Sequence, residues 1–323
     1  MGTAGVVAQV VNGLPTFKCR SGVVVDSRSN RVVQKRKDRY HAVTMTTPHL
    51  ALAHQLALLF APLPQVTAVA LGGSLGAGAA DAASDIDLYV YTRVAIPLEE
   101  RHAIVERAGG ATRKDVGLEY WGPGDEWIHA PTGIEVDIVY FDVGWAEEEI
   151  TRVMERHQAS AGYTTCYCYT VRLSHIFHDP GGWLAAQQKR CLGDYPEALR
   201  RNIIALNHPV LRGVIPSYAF QLEKAAKRRD LVSINHRLAA LLASYFDILF
   251  ALNRQFHPGE KRLLLHVLSR CPQLPARLEG ELTTLLQTAT AEPAALPGQV
   301  AQLLDHLDEL LQTEGFAIAR TAR

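Results

Sequence analysis

The sequence predicts an α+β fold in which a mixed-sheet domain is followed by an all-α helical bundle domain. Three observations carry this reading. Short runs that alternate apolar and polar residues interleave with helix-length segments up to about residue 143, strand patterns nearly vanish after residue 144, and prolines 180, 196, 209, 216, 258, 272 and 275 punctuate the helical remainder. At 323 residues, 48% apolar and 20% charged, the chain has room for two domains of ordinary size.

In order along the chain, residues 1–44 scatter Gly and Val without period and end in the basic run Gln34-Lys35-Arg36-Lys37-Asp38-Arg39. They are expected to be a non-native or disordered extension, with Met45 the true start, because Thr46-Thr47-Pro48 has the form of a capped helix start with Pro in the first turn. Residues 45–143 then read as helix 49–61, strand 66–73, strand 86–92, helix 97–108 and strand 115–121. A break at Gly122-Pro123-Gly124 precedes a short strand 126–130 and a strand 134–140. The apolar face of these strands is expected to be covered on one side.

Residues 144–323 read as helices over 146–157, 182–191, 195–206, 216–228, 231–254, 260–270, 276–288 and 296–313, forming a substrate- or nucleotide-binding bundle with the cleft against the sheet. The longest apolar stretch, Leu238 to Leu252, is interrupted by Ser244 and Asp247 and falls short of the ~18 residues a membrane span needs, so it reads as a buried helix. No signal peptide is visible at the N-terminus, and the five cysteines lack paired metal-type spacing. A reducing, cytoplasmic location without disulfides or structural zinc is expected.

The chemistry concentrates in one stretch. Gly72-Gly73-Ser74 is followed across a small-residue loop by Ser84-Asp85-Ile86-Asp87-Leu88-Tyr89-Val90-Tyr91. Asp85 and Asp87 stand one residue apart in an alternating run, so both carboxylates point to one face of a strand. Like charges held that close repel unless a cation lies between them, and hard oxygen donors suit Mg²⁺. The glycines supply a tight turn and Ser74 a hydroxyl, and successive backbone N–H groups can cradle phosphate oxygens.

The arrangement Gly73-Ser74, ten residues, Asp85-Ile86-Asp87-Leu88 resembles the signature of the DNA polymerase β-like nucleotidyltransferase superfamily, and within it the aminoglycoside and lincosamide nucleotidyltransferases. That resemblance implies a third carboxylate flanked by apolar residues on a neighbouring strand. Ile134-Glu135-Val136-Asp137-Ile138-Val139-Tyr140 supplies it, with Asp137 the better match and Glu135 a neighbouring ligand, general base or exposed strand end.

The resemblance further implies an NTP co-substrate and two Mg²⁺ ions held by Asp85, Asp87 and Asp137. Gly72, Gly73 and Ser74 would hold the β- and γ-phosphates, and an NMP group would pass to a hydroxyl acceptor with release of pyrophosphate. A separate general base, if present, would be Asp137 or Glu135.

Net charge is zero, but it is unevenly spread: residues 45–150 carry five basic and sixteen acidic side chains, and residues 189–262 thirteen basic and six acidic. An acidic metal-binding half and a basic phosphate-binding half suit a metal–triphosphate. His257-Pro258-Gly259-Glu260-Lys261-Arg262 is expected to open a helix, with Lys261 as a triphosphate contact.

The expected acceptor is a small, antibiotic-like molecule, although the basic segment suits an anionic or neutral one. Alternatives are a toxin-like or regulatory transferase acting on RNA or protein, and a nucleotide-binding sensor without transfer. Nucleic acid is possible but not favoured, since the basic run before residue 40 is short and lacks aromatics, and no membrane partner is expected.

Weaker candidates remain structural by default. Arg229 and His236 have a spacing resembling HEPN-type ribonuclease domains. Tyr218, Glu223, Asn235, His236, Tyr245 and Asp247 recur at helical spacing. Tyr120 to Trp127 sets aromatics beside a rigid turn, where they could stack a ring.

Overall fold

A computed structural model describes residues 48–73, 85–120 and 122–317. The expectations placed on residues 1–44, Ser74 and Trp121 lie outside the described residues. The fold is α+β, as the sequence predicts, and it divides into two compact units: residues to Ala146 with Leu173–Ala185, and Glu147–Arg172 with Ala186–Arg323.

In the first unit, α1 (Pro48–Phe60) begins at its proline, whose missing N–H would be unpaired there in any case. It buries Leu52, Ala53, Leu56, Ala57 and Phe60, a three-and-four spacing that gives one apolar stripe. There follow β1 (Val66–Leu71), β2 (Ile86–Thr92), α2 (Leu98–Arg107), β3 (Ala111–Leu118), β4 (Gly124–His129), β5 (Glu135–Asp142), the start of α3 (Val143–Ile150) and, later in the chain, β6 (His175–His178).

The six strands form one sheet in the order β3-β4-β5-β2-β1-β6. β2 and β5 pair in parallel at its centre, and the remaining pairs are antiparallel. One face is the core: Val69, Leu71, Ile86, Leu88, Val90, Val136 and Ile138 pack with Leu52, Leu56 and Phe60 of α1 and Ile104 and Val105 of α2. Each such side chain taken out of water contributes roughly 1.5–3 kcal/mol. Strict alternation therefore sends Asp87, Tyr89, Glu135, Asp137 and Glu126 to the opposite face.

A buried polar knot ties α2 to the β3–β4 hairpin. Arg101 donates through Nε to Asp125 (2.9 Å) and through Nη2 to the Gly124 carbonyl (2.8 Å), and its second bond to Asp125 comes from Nη2. Tyr140 donates its hydroxyl to Asp125 (2.6 Å), as does the Gly117 N–H (2.8 Å). The Arg101 guanidinium also lies 4.4 Å from the Tyr140 ring centre. Every acceptor site on Asp125 is used, which is the condition for a buried charge to be tolerated.

The second unit comprises the end of α3, a wide turn Thr151–Glu155, α4 (Cys166–Leu173) up to Arg172, α5 (Trp183–Leu192) from Ala186 on, α6 (Glu197–His208), α7 (Tyr218–Arg228), α8 (Leu231–Leu252), α9 (Leu263–Arg270), α10 (Leu278–Ala291) and α11 (Leu296–Thr313). Ser217 caps α7 by accepting the Phe220 N–H, and Asp230 caps α8 by accepting the Ser233 N–H at 3.0 Å. From Ser244 to Leu252 α8 is buried on all sides, and helices α6, α7, α10 and α11 contribute to the core around it.

Several elements depart from expectation. α4 and the four-residue β6 carry no pattern that predicts them; β6 is too short to show a period and is held by pairing with β1, a partner about a hundred residues earlier. β3 starts at Ala111, because its charged Arg113-Lys114-Asp115 run masks the strand pattern on an exposed edge. The helix expected from residue 260 opens only at Leu263, after Arg262 in a left-handed conformation (φ 55°).

Candidate active site

The two central strands bring together what the sequence keeps fifty residues apart. Asp87 of β2 and Asp137 of β5 are register partners in the parallel ladder, so their side chains leave the same face side by side. Asp87 is 6% exposed, and Asp137 is half-buried. Asp85 immediately precedes β2, two residues before Asp87, and is half-buried. Glu135 is exposed at the first position of β5.

The row continues across the sheet. Glu126 of β4 is opposite Asp137, and Asp115 of β3 is opposite Glu126. Four strands thus set Asp87, Asp137, Glu126 and Asp115 in one line on one face, with Asp115 exposed at its outer end beside Arg113. Sequence reasoning missed Glu126; the alternation with buried Asp125 and Trp127 was the signal that could have found it.

At the end of β1 the glycine turn is pressed against this pair. The Gly72 N–H donates to the Asp87 carbonyl (2.8 Å), and Gly73 has φ +58°, a left-handed conformation that suits glycine. A Cβ on Gly73 would stand 1.6 Å from Asp87 Oδ2, and a Cβ on Gly72 would stand 1.9 Å from Tyr89 Cε2. Both positions therefore require glycine for close approach. The Gly73 N–H donates to the Tyr89 hydroxyl oxygen. With both N–H groups engaged inside the protein, what the glycines contribute is proximity of the turn to Asp87.

Tyr89 is the second group that sequence reasoning passed over, although it lies two residues beyond Asp87 on the same face. Its ring is 4% exposed and meets Phe141 edge-on at 5.6 Å. Burial above all, then the negative charges of Asp87 and of neighbouring groups, holds its phenol well above the usual tyrosine range. Farther along the same face, Tyr91, Phe141 and Trp145 stack in series and Tyr91 also meets Trp183 at 5.2 Å.

The donor set fits a hard divalent cation: carboxylate oxygens, paired, one of them buried, with a glycine cradle that a single methyl group would fill. Among the described residues no three His, Cys, Asp or Glu side chains are gathered into a metal cage. Mg²⁺ does not require one, since it is commonly held by one or two carboxylates with water and substrate phosphates completing the shell.

The remaining candidates fall elsewhere. Lys261 is exposed on the second unit, in the turn before α9. Tyr120 is 85% exposed, whereas Trp127 is buried in the sheet core. Glu223 pairs with Lys227, Arg229 ends α7 in a left-handed conformation, and Asn235 and His236 are exposed. Tyr245 and Asp247 lie inside the second unit. Burial pushes the Asp247 carboxyl up to about 7, against the bonds donated to it by the Thr164 N–H and hydroxyl. Burial likewise pushes His257 down to about 3; its Nδ1 accepts the Gly259 N–H (3.1 Å).

Residues 166–263 match a family model described as a domain of unknown function, DUF4037. No curated protein sequence matches the chain. Among solved structures, the chain is similar to a nucleotidyltransferase-like protein from Exiguobacterium sibiricum, with 11% identity and a TM-score of 0.40, over 82% of this chain and 74% of that one. A likeness so loose assigns no function. Among the described residues no helix is long and apolar enough to cross a membrane.

Proposed function

We propose that the chain is a metal-dependent nucleotidyltransferase that moves an NMP group from an NTP to a hydroxyl of a small, amine-bearing acceptor. The observation that carries this reading is the Gly72-Gly73 turn packed against a carboxylate pair, with the Gly73 Cα at a distance from Asp87 that only glycine permits. A turn and a paired carboxylate in contact are what a metal–triphosphate needs; a simple surface strand has no use for either.

In this reading Asp87 and Asp137, with Asp85, hold two Mg²⁺ ions. When bound, Mg²⁺ neutralises the triphosphate and lowers the pKa of the acceptor hydroxyl. Ser74, the next residue in the chain after Gly73, would offer its hydroxyl to the β- and γ-phosphates. The acceptor oxygen attacks the α-phosphorus, the bond to the bridging oxygen of the β-phosphate breaks, and pyrophosphate leaves. The hydroxyl proton passes to a carboxylate of the same face, for which Asp137, Glu135 and Glu126 are the candidates.

The acceptor class follows from the line Asp137–Glu126–Asp115, which extends negative potential outward from the metal pair and favours a cation. Incubation with Mg²⁺ and each labelled NTP, against a panel of amino sugars, neutral alcohols, RNA and protein, should give pyrophosphate release with an amine-bearing alcohol. Release only with RNA or protein would replace the acceptor assignment. Nucleotide binding with no release for any acceptor would make the chain a sensor and overturn the reading.

A further inference from the structure

Away from the carboxylates, we infer that Cys168 and Cys191 form a dithiol modification site that hydrogen peroxide closes to a reversible disulfide. Cys168 lies on α4 and Cys191 near the end of α5, both within the second unit, and each is 0% exposed. Their thiols are in hydrogen-bond contact, with Cys168 donating its S–H to the Cys191 sulfur. Two printed contacts tie the chain together around them: Gln188 Nε2 donates to the Val171 carbonyl (3.0 Å), and Arg172 Nη1 donates to the Cys191 carbonyl (3.2 Å). Both cysteines are free, so the pair stands in its reduced form.

The two sulfurs are not equivalent. The bond from Cys168, and after it the charges of Arg190 and Arg172, hold the Cys191 thiol below the usual range against its own burial. The same bond, and then burial, hold Cys168 well above that range. Cys191 is therefore the nucleophile and Cys168 the resolving thiol. The Cys191 thiolate attacks one peroxide oxygen: an S–O bond forms, the O–O bond breaks, and the hydroxide that leaves takes the Cys191 proton to become water. The Cys168 sulfur then attacks the sulfenic sulfur. The S–S bond forms as the S–O bond breaks, and the departing hydroxide takes the Cys168 proton as a second water. The thiols give up two electrons in all, and the peroxide accepts them. Burial selects this oxidant, because a bulky disulfide has no path to either sulfur, whereas hydrogen peroxide is small enough to enter on local opening.

What the bond would fix is the chain between the two cysteines. Residues 173–185 leave the second unit to supply β6 to the sheet of the first, where His175 pairs with Leu71 of β1. A disulfide from residue 168 to residue 191 closes that excursion into one covalent loop and removes freedom from the unfolded chain. In a reducing medium the thiols persist, and the bond forms only while peroxide is present.

The experiment treats the full-length wild-type protein with hydrogen peroxide, alkylates the remaining thiols with iodoacetamide under denaturing conditions, and maps peptides by mass spectrometry before and after dithiothreitol. The unfolding temperature is measured on the same samples. The expected result is a peptide cross-linked between Cys168 and Cys191, joint loss of both thiols from alkylation, and an unfolding temperature raised by about 5 °C, all reversed by dithiothreitol. In Cys168→Ser, dimedone should trap a sulfenic acid on Cys191. Full alkylation of both cysteines at peroxide levels that oxidise free cysteine would overturn the inference, as would cross-linking of either one to Cys166 or Cys271 instead. A dimedone adduct on Cys168 in Cys191→Ser, with none on Cys191 in Cys168→Ser, would overturn the assignment of the nucleophile.

Discussion

Replacing Gly73 by alanine tests whether the turn and Asp87 are mechanically one unit. The left-handed backbone at φ +58° costs a residue with a Cβ about 1–2 kcal/mol. The new methyl group would also lie 1.6 Å from Asp87 Oδ2, roughly half an ordinary contact distance. Relieving such an overlap by moving the turn or the carboxylate costs about a further 1–3 kcal/mol. Gly73→Ala should therefore destabilise the first unit by about 2–5 kcal/mol. In an Asp87→Ala background the backbone part and a tight 3.0 Å contact with the Cβ of residue 87 remain, because only the carboxylate with its clashing oxygen is gone. Urea unfolding of the four proteins in a double-mutant cycle should give a coupling of about 1–3 kcal/mol between positions 73 and 87. Additivity to within about 0.5 kcal/mol would refute the contact and the reason given for glycine there.

Other consequences concern stability elsewhere. Asp247, held near 7 when folded and ionising near 4 when unfolded, makes the folded state gain stability as pH falls from about 7 to about 4. His257, held near 3 when folded and titrating near 6.5 when unfolded, makes it lose stability over most of the same range. The two effects oppose each other at about 1.4 kcal/mol per pH unit. Asp247→Asn should thus lose stability on acidification relative to wild type and His257→Gln should gain it, in urea melts between pH 4.5 and 6.5; parallel profiles for all three proteins would contradict both assignments. Asp125→Ala, which strands Arg101 without its carboxylate, should cost about 3–5 kcal/mol in the same assay, whereas Tyr140→Phe should cost about 1 kcal/mol. Equal losses would deny Asp125 its place at the centre of the knot.

Legibility in the sequence followed the range of the information. Asp85 and Asp87 are visible together because strand alternation is local, and β2 and most helices are bounded by nearby turns and prolines. That Asp87 lies beside Asp137 depends on a parallel pairing across about fifty residues, which spacing suggests only once a family pattern is in mind. Glu126 and Tyr89 were hidden for a different reason. Glu126 shows locally only through its alternation with Asp125 and Trp127 and joins the acidic row through its antiparallel partner, and Tyr89 reads as one more apolar strand residue until the turn at Gly72 folds back onto its ring. β6 carries no pattern of its own and exists through β1. In the same way, nothing local reveals that the Gly72 and Gly73 N–H groups are taken by Asp87 and Tyr89.

The most direct test of a metal–nucleotide site at the carboxylate pair is Mn²⁺ binding, followed by electron paramagnetic resonance with and without a non-hydrolysable NTP analogue. Wild-type protein should bind Mn²⁺ more tightly when the analogue is present, and Asp87→Asn and Asp137→Asn should each weaken that binding by at least about tenfold without lowering the unfolding temperature. Nucleotide-dependent Mn²⁺ binding that survives unchanged in Asp87→Asn would contradict the assignment.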